Sequence, residues 1–190
     1  MRKLILSLMA TVCCALLVGC FLHQQPQPQP HPQPRIVNLT SPFDAVKARE
    51  LSQGKGKNTI EGSALMRRDG GGVVTCAGLE VRLVPVTAYA SERIQAIYGN
   101  TQRGTVAFSV LPQTVEFMPD IPEYRTFTKT NRCDTKGYFK FEEIPDGEYY
   151  LTVVIAWKTN YLQGGTLMQR VEVKNGQTVG VILAPLFAGQ

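Results

Sequence analysis

Two histidines, five cysteines and a few clustered carboxylates are the side chains of this sequence whose types could support acid–base, metal or redox chemistry. His23 and His31 stand eight residues apart in an alternating Gln/Pro tract. An imidazole acts as a general base or a ligand only where a fold holds it beside its partners, and in such a tract it stays solvated. No histidine follows His31, so a Ser-His or Cys-His hydrolase is not expected. Glu142, Glu143, Asp146 and Glu148 cluster near one turn and offer oxygen ligands for calcium, yet they lack the spaced ligand loop that calcium needs. They read as exposed turn charges. A two-carboxylate glycosidase is allowed by residue type, but nothing in the spacing fixes a separation or raises a pKa. Gly70-Gly71-Gly72 lacks the lysine and following helix of a phosphate-cradling loop, which argues against nucleotide. The expectation is a chain with no catalytic residue, no metal site and no cofactor.

The thiols are more informative. Arg2 and Lys3 precede an apolar run of fifteen residues, 4–18, which ends in Leu17-Val18-Gly19-Cys20. This pattern resembles the lipobox of bacterial lipoproteins. The resemblance implies a signal peptide over 1–19, cleavage before Cys20, and palmitate-type lipid on its thiol as a membrane anchor. Phe21, rather than aspartate, follows the cysteine, which in the lipoprotein sorting pattern implies the outer membrane of the cell envelope, on its periplasmic face or at the surface. Three other roles stay open for the run: a secretory signal cut elsewhere, an uncleaved anchor, or a buried helix. It is shorter than the roughly twenty residues a span needs.

Without 1–19 the chain keeps 18 basic and 15 acidic side chains, a net charge of +3. That balance is too mild to argue for nucleic acid. Apart from Cys20 it keeps Cys76 and Cys133, an even pair in a compartment that permits disulfides. A Cys76–Cys133 bridge is expected; two buried free thiols are the alternative, because spacing cannot show that the Cα atoms approach within about 7 Å.

These residues need elements to position them. Residues 20–35 hold the anchor and a Gln/Pro-rich stalk, a composition that favours polyproline II and acts as a spacer reaching roughly 40 Å at about 3.1 Å per residue. Residues 36–57 form a leader in which Ser41-Pro42-Phe43-Asp44 reads as a helix start and Gly54 as its stop. Phe43, Val46 and Leu51 would give that helix an apolar edge, either docked or solvated. From 58 to 187 the pattern changes to short runs rich in Val, Thr, Tyr and Phe between Gly, Asn, Asp and Pro, the signature of a sandwich. Strands are expected over 59–67, 79–86, 125–131, 138–142, 148–158, 167–174 and 178–183. Within 148–158, alternation places Tyr149, Leu151, Val153, Ile155 and Trp157 on a core face. Asn175-Gly176 suits a hairpin turn. The insertion 88–123 carries a helix over 89–98 with Ser91 as its cap, then an edge strand or ordered loop broken by Pro112 and Pro119.

The stretch from Cys133 to Leu151 contains Asp134, Gly137, Phe139, Phe141, Ile144, Pro145, Gly147 and Tyr149. It resembles the signature of the carboxypeptidase regulatory-like, or transthyretin-like, superfamily. There an aspartate and a glycine form a turn, alternate aromatics enter the core, and a Pro-Gly pair leads into a strand that starts with tyrosine. The resemblance implies an all-β fold, a transthyretin-like or Ig-like seven-strand β-sandwich with a short helical insertion. It implies packing and not catalysis. Cys133 and the long insertion depart from the pattern.

Tyr89, Tyr98, Tyr124, Tyr138, Tyr150 and Tyr161 are numerous for a small domain. Exposed tyrosines suit protein or glycan contacts, although tyrosine also simply favours strands. The functional expectation is a lipid-anchored, non-catalytic envelope module. It would work through protein contacts made by loops and the crossover helix. The alternatives are a carbohydrate- or peptidoglycan-binding, adhesin-like module, or an accessory subunit of a secretion or conjugation apparatus.

Overall fold

The computed structural model describes residues 33–68, 70–108 and 114–185. Cys20, the signal 1–19 and the stalk up to residue 32 lie outside the described residues.

Alternating apolar residues in long strands require a second apolar surface to cover them, and two sheets supply it. One sheet runs in the order β5 (Arg103–Ala107), β10 (Leu162–Val173), β9 (Gly147–Lys158), β4 (Glu80–Pro85), β7 (Lys129–Arg132), antiparallel throughout. The other is built on β2 (Asn58–Arg67), which takes β11 (Thr178–Leu183) in parallel, and β8 (Tyr138–Ile144) and β3 (Val73–Thr75) antiparallel. Tyr149, Leu151, Val153 and Ile155 of β9 point between the sheets, with Val81 and Leu83 beside them and Ile60, Phe139, Phe141, Val181 and Leu183 opposite. Each such buried side chain contributes about 1.5–3 kcal/mol relative to exposure. The expected all-β sandwich is therefore present, and each of the seven expected strands has a counterpart.

The differences lie at the edges. Expected strand 125–131 begins only at Lys129, because Glu123–Thr126 form a helical turn, α3. β3 and β5 extend the two sheets, and Val115–Met118 (β6) pairs in parallel with Arg35–Asn38 (β1). Asn175 and Gly176 do adopt positive φ, 60° and 74°. The turn is not a hairpin, however: β10 and β11 belong to different sheets, so it carries the chain across the sandwich. The insertion helix, α2 (Ala88–Tyr98), is capped by the Thr87 hydroxyl, which accepts from Ala90 N at 3.1 Å, and not by Ser91. Ser91 instead shares a hydrogen bond of 2.9 Å with the Tyr150 hydroxyl.

Helix α2 is a buried layer. One side packs through Ala90 and Ile94 on Val84, Tyr150 and Met168 of the five-stranded sheet. Its other side packs through Tyr89 on Phe117 and Leu39 of the β1–β6 region. The leader helix, α1 (Ala45–Gln53), starts one turn later than expected, with Asp44 as its cap accepting from Lys47 N at 2.9 Å. Gly54 ends it as expected. Phe43 and Leu51 pack on the domain while Val46 faces solvent.

Ser41 is unavailable as a helix cap because it is spent on Glu92. The Glu92 carboxylate accepts from Thr40 Oγ1 (2.6 Å), Thr40 N (2.8 Å), Ser41 Oγ (2.7 Å) and Ser41 N (3.1 Å). Those donors, the Thr40 hydroxyl first, hold its pKa down at about 2. A carboxylate with a lowered folded pKa stabilises above its ordinary value of roughly 4.3, and that contribution is lost as pH falls toward 2. Acidification from pH 5 to 2 is therefore expected to speed amide exchange at Thr40 and Ser41, after correction for intrinsic rates. Glu92→Gln abolishes the step. Unchanged protection across that window in the wild type would refute the latch.

Candidate functional site

Since alternate residues of β9 fill the sandwich, Tyr150, Thr152 and Val154 emerge on the outer face of the five-stranded sheet, beside Arg82 and Val84 of β4. Helix α2 covers only the end containing Val84, Tyr150 and Met168. The uncovered part is the floor of a groove of about 690 Å³, within the range of small-ligand sites. Ile94, Ile97 and Tyr98 of α2 form one wall, and Tyr124, Arg125 and Thr128 around α3 form the other.

Strand register sets the floor. Arg82 lies directly between Thr130 of β7 and Thr152 of β9, giving a Thr-Arg-Thr row across three strands. In the next row Val154, 48% exposed, pairs with Thr166. Tyr98 and Thr166 share a hydroxyl–hydroxyl bond of 2.6 Å. Burial pushes the Tyr98 and Tyr124 phenols up to about 12, against the lowering effect of the Thr166 hydrogen bond at Tyr98 and of the Arg93 charge at Tyr124. Both remain neutral hydroxyls at physiological pH. Among the described residues, neither the Thr130 nor the Thr152 hydroxyl hydrogen-bonds to protein, and Arg82 uses only Nε, toward Glu80 at 3.0 Å.

The walls are braced from behind. Arg93, 9% exposed, donates from Nη1 to Asp120 Oδ1 (2.7 Å) and to the Tyr89 hydroxyl (3.1 Å). Its guanidinium lies 4.0 Å from the Phe117 ring centroid and 4.5 Å from that of Tyr124, in cation–π range. The Tyr89 hydroxyl also donates to Pro119 O and accepts from Ile121 N. Asp120 Oδ2 accepts from Arg125 Nη2 at 2.5 Å. This network ties α2 to the segment carrying α3 and fixes the width of the groove.

The groove can grip a polyhydroxyl ligand, with hydroxyls and a guanidinium on the floor and aromatic and aliphatic walls. It is poorly equipped for acid catalysis, which needs a carboxyl raised toward neutral pH. Arg93 and Arg125 hold the Asp120 carboxyl below the usual carboxylate range. Among the described residues no group of three His, Cys, Asp or Glu side chains gathers to hold a metal.

The residues singled out from sequence lie elsewhere. Cys76 and Cys133 form a disulfide with Cα atoms 5.8 Å apart. Asp134 Oδ1 accepts from Lys136 N and Tyr138 N, which closes the turn at Gly137, where φ is +82°. Phe139 and Phe141 are core residues. Tyr149 is buried, and its hydroxyl reaches Pro145 O (3.0 Å) and Leu51 O (3.1 Å). Gly147 has a positive φ of 155°, and a Cβ there would lie 2.5 Å from Leu51 Cδ2, so a larger residue would have to displace the Leu51 side chain. The whole motif is structural. Of the clustered acids, Glu142 pairs with Lys140, Glu148 with Arg170, and Asp146 with Asn58. Of the six tyrosines, Tyr89 and Tyr150 are buried, Tyr98 and Tyr124 line the groove, and Tyr138 and Tyr161 face solvent.

No protein-family model matches the sequence, and no curated protein matches it either. The fold is similar to a crystal structure from Pseudomonas aeruginosa, provisionally assigned as a carbohydrate-binding protein, with a TM-score of 0.59 and 23% sequence identity. The similarity covers 75% of this chain and 97% of that one. At that identity the likeness is one of fold.

Proposed function

We propose that this protein is a non-catalytic, lipid-anchored envelope module that binds glycan in the groove on its five-stranded sheet. One observation carries the reading: the Thr130-Arg82-Thr152 row lines a braced concave surface with hydrogen-bonding capacity that the fold does not use. Sugars present hydroxyls at such spacings, and well-placed polar groups on a mostly apolar cleft set orientation and specificity. The provisional assignment of the similar structure supports the same class. Anchoring rests on the lipobox resemblance around Cys20, and the sandwich motif at 133–151 supports kinship with carboxypeptidase regulatory-like domains. The expectation of protein contacts rested on loops and the crossover helix, with glycan binding as its alternative. Two sides of α2 pack against the domain, and the part of it that stays accessible includes the groove wall of Ile97 and Tyr98.

One set of strains tests both halves. The wild type is expected to incorporate labelled palmitate and Cys20→Ser to lose it; palmitate retained by the variant overturns the anchor. Detergent-solubilised wild type is expected to be retained on at least one immobilised envelope polysaccharide. Thr130→Val/Thr152→Val, which keeps shape and strand preference, should weaken retention about ten-fold at two lost hydrogen bonds. No retention of the wild type on neutral or acidic polysaccharides overturns the glycan reading.

A further inference from the structure

Resting on that reading of the groove, we infer that its preferred ligand is an acidic glycan, whose carboxylate is received by Arg82 and Arg125. Four charged side chains line the groove: Glu80, Arg82, Arg93 and Arg125. Asp120 answers Arg93 from behind the wall and takes one nitrogen of Arg125. Glu80 takes Nε of Arg82. Both terminal nitrogens of Arg82 and the rest of the Arg125 fork make no hydrogen bond or ion pair among the described residues. Arg125 is 69% exposed at the rim, on the wall that rises beside the Arg82 row. Two guanidinium groups with open fork positions thus line one groove, one on its floor and one on its wall.

A guanidinium fork matches the two oxygens of a carboxylate in geometry and charge. Thr130 and Thr152 flank Arg82 on both sides and are placed to meet ring hydroxyls adjacent to that carboxylate. A neutral sugar offers both forks only uncharged hydroxyl acceptors, which bind a guanidinium more weakly than a carboxylate does. A uronic acid residue satisfies one or both, and successive acidic residues of a polymer can occupy floor and rim together. The contribution is partly screened, because both arginines are solvent-accessible, so it is salt-dependent.

The test is calorimetric titration of the full-length protein in detergent micelles with a uronic acid oligosaccharide and with the same oligosaccharide after reduction of its carboxyls to alcohols. The acidic form is expected to bind about ten-fold more tightly at low salt, with the advantage shrinking at high salt. Arg82→Gln, and separately Arg125→Gln, should bring the acidic form down toward the reduced one. The reduced form, which meets the guanidinium groups only through neutral hydroxyls, should lose less affinity than the acidic form in either variant. Equal affinity for the two forms, insensitive to either variant, overturns the acidic preference while glycan binding stands. Binding of neither form overturns both.

Discussion

Replacing Asn58 with alanine is expected to lower the unfolding free energy by about 3 kcal/mol. Asn58 is fully buried at the start of β2. Its Nδ2 donates to Ile144 O and to Asp146 Oδ1, each at 2.8 Å, and its Oδ1 accepts from Gln177 N at 3.0 Å. One side chain thus joins the end of β8, the turn into β9 and the turn into β11, where the chain changes sheets. Alanine takes the side-chain donor from the buried Ile144 carbonyl, one acceptor from Gln177 N, which keeps its bond to Lys174 O at 3.3 Å, and one partner from Asp146; an orphaned buried group costs about 1–3 kcal/mol and each further lost bond about 1 kcal/mol. Urea unfolding should show a lower midpoint with an unchanged slope; a loss below about 0.5 kcal/mol, the size of an ordinary surface substitution, would refute the account. A second readout is independent of folding. Asn58 is the largest cause of the lowered Asp146 pKa, ahead of the Asn175 amide, so in the variant the Asp146 carboxyl titrates closer to the ordinary range. The sign follows: the Asp146 contribution is present above the ordinary aspartate pKa of roughly 3.9, and is lost as pH falls through the lowered folded value.

Asn58 also marks where reading from sequence stops. Strands with a period of two announce themselves, and 148–158 did so through Tyr149, Leu151, Val153 and Ile155, which fill the core. A lone asparagine before Thr59 carries no such signal; only its meeting with two distant turns, at 144–146 and at 177, makes it central. The groove is harder still. Its floor takes Thr130, Arg82, Thr152 and Thr166 from four strands, and their adjacency depends on register, which no single strand encodes. One trace was available. The outward face of β9 carries Tyr150, Thr152 and Val154 instead of charges, so a covering or a ligand was already implied on that side. Arg93 was invisible for a different reason. An arginine between serine, glutamate and isoleucine looks like a solvated helix position, and only Asp120 with three aromatic rings makes its burial tolerable.

Removing the Cys76–Cys133 bridge is expected to cost about 4 kcal/mol, the chain-entropy value for a closed loop of this size. The two cysteines are 57 residues apart, and the loop between them contains β4, α2, β5, β6, α3 and β7. That loop holds both walls of the groove and two of its floor strands. Backbone bonds already hold the two ends together in the folded state, Gly78 N to Cys133 O at 3.0 Å and Cys133 N to Leu79 O at 2.9 Å. The bridge therefore acts chiefly on the unfolded chain, whose freedom it restricts. Both cysteines are buried, so Cys76→Ala/Cys133→Ala keeps the core apolar and tests the cross-link itself. The double variant should melt roughly 8–16 °C lower, at about 2–4 °C per kcal/mol for a domain of this size. Wild type unfolded under reducing conditions should lose the same stability. Below its lowered melting range the variant should still bind glycan, because the Thr130-Arg82-Thr152 row depends on strand pairing and not on the sulfurs. Loss of binding together with an unchanged fold would instead assign the bridge a direct part in shaping the groove. A stability loss below about 1 kcal/mol would mean that the unfolded chain is already constrained across this loop without the bond.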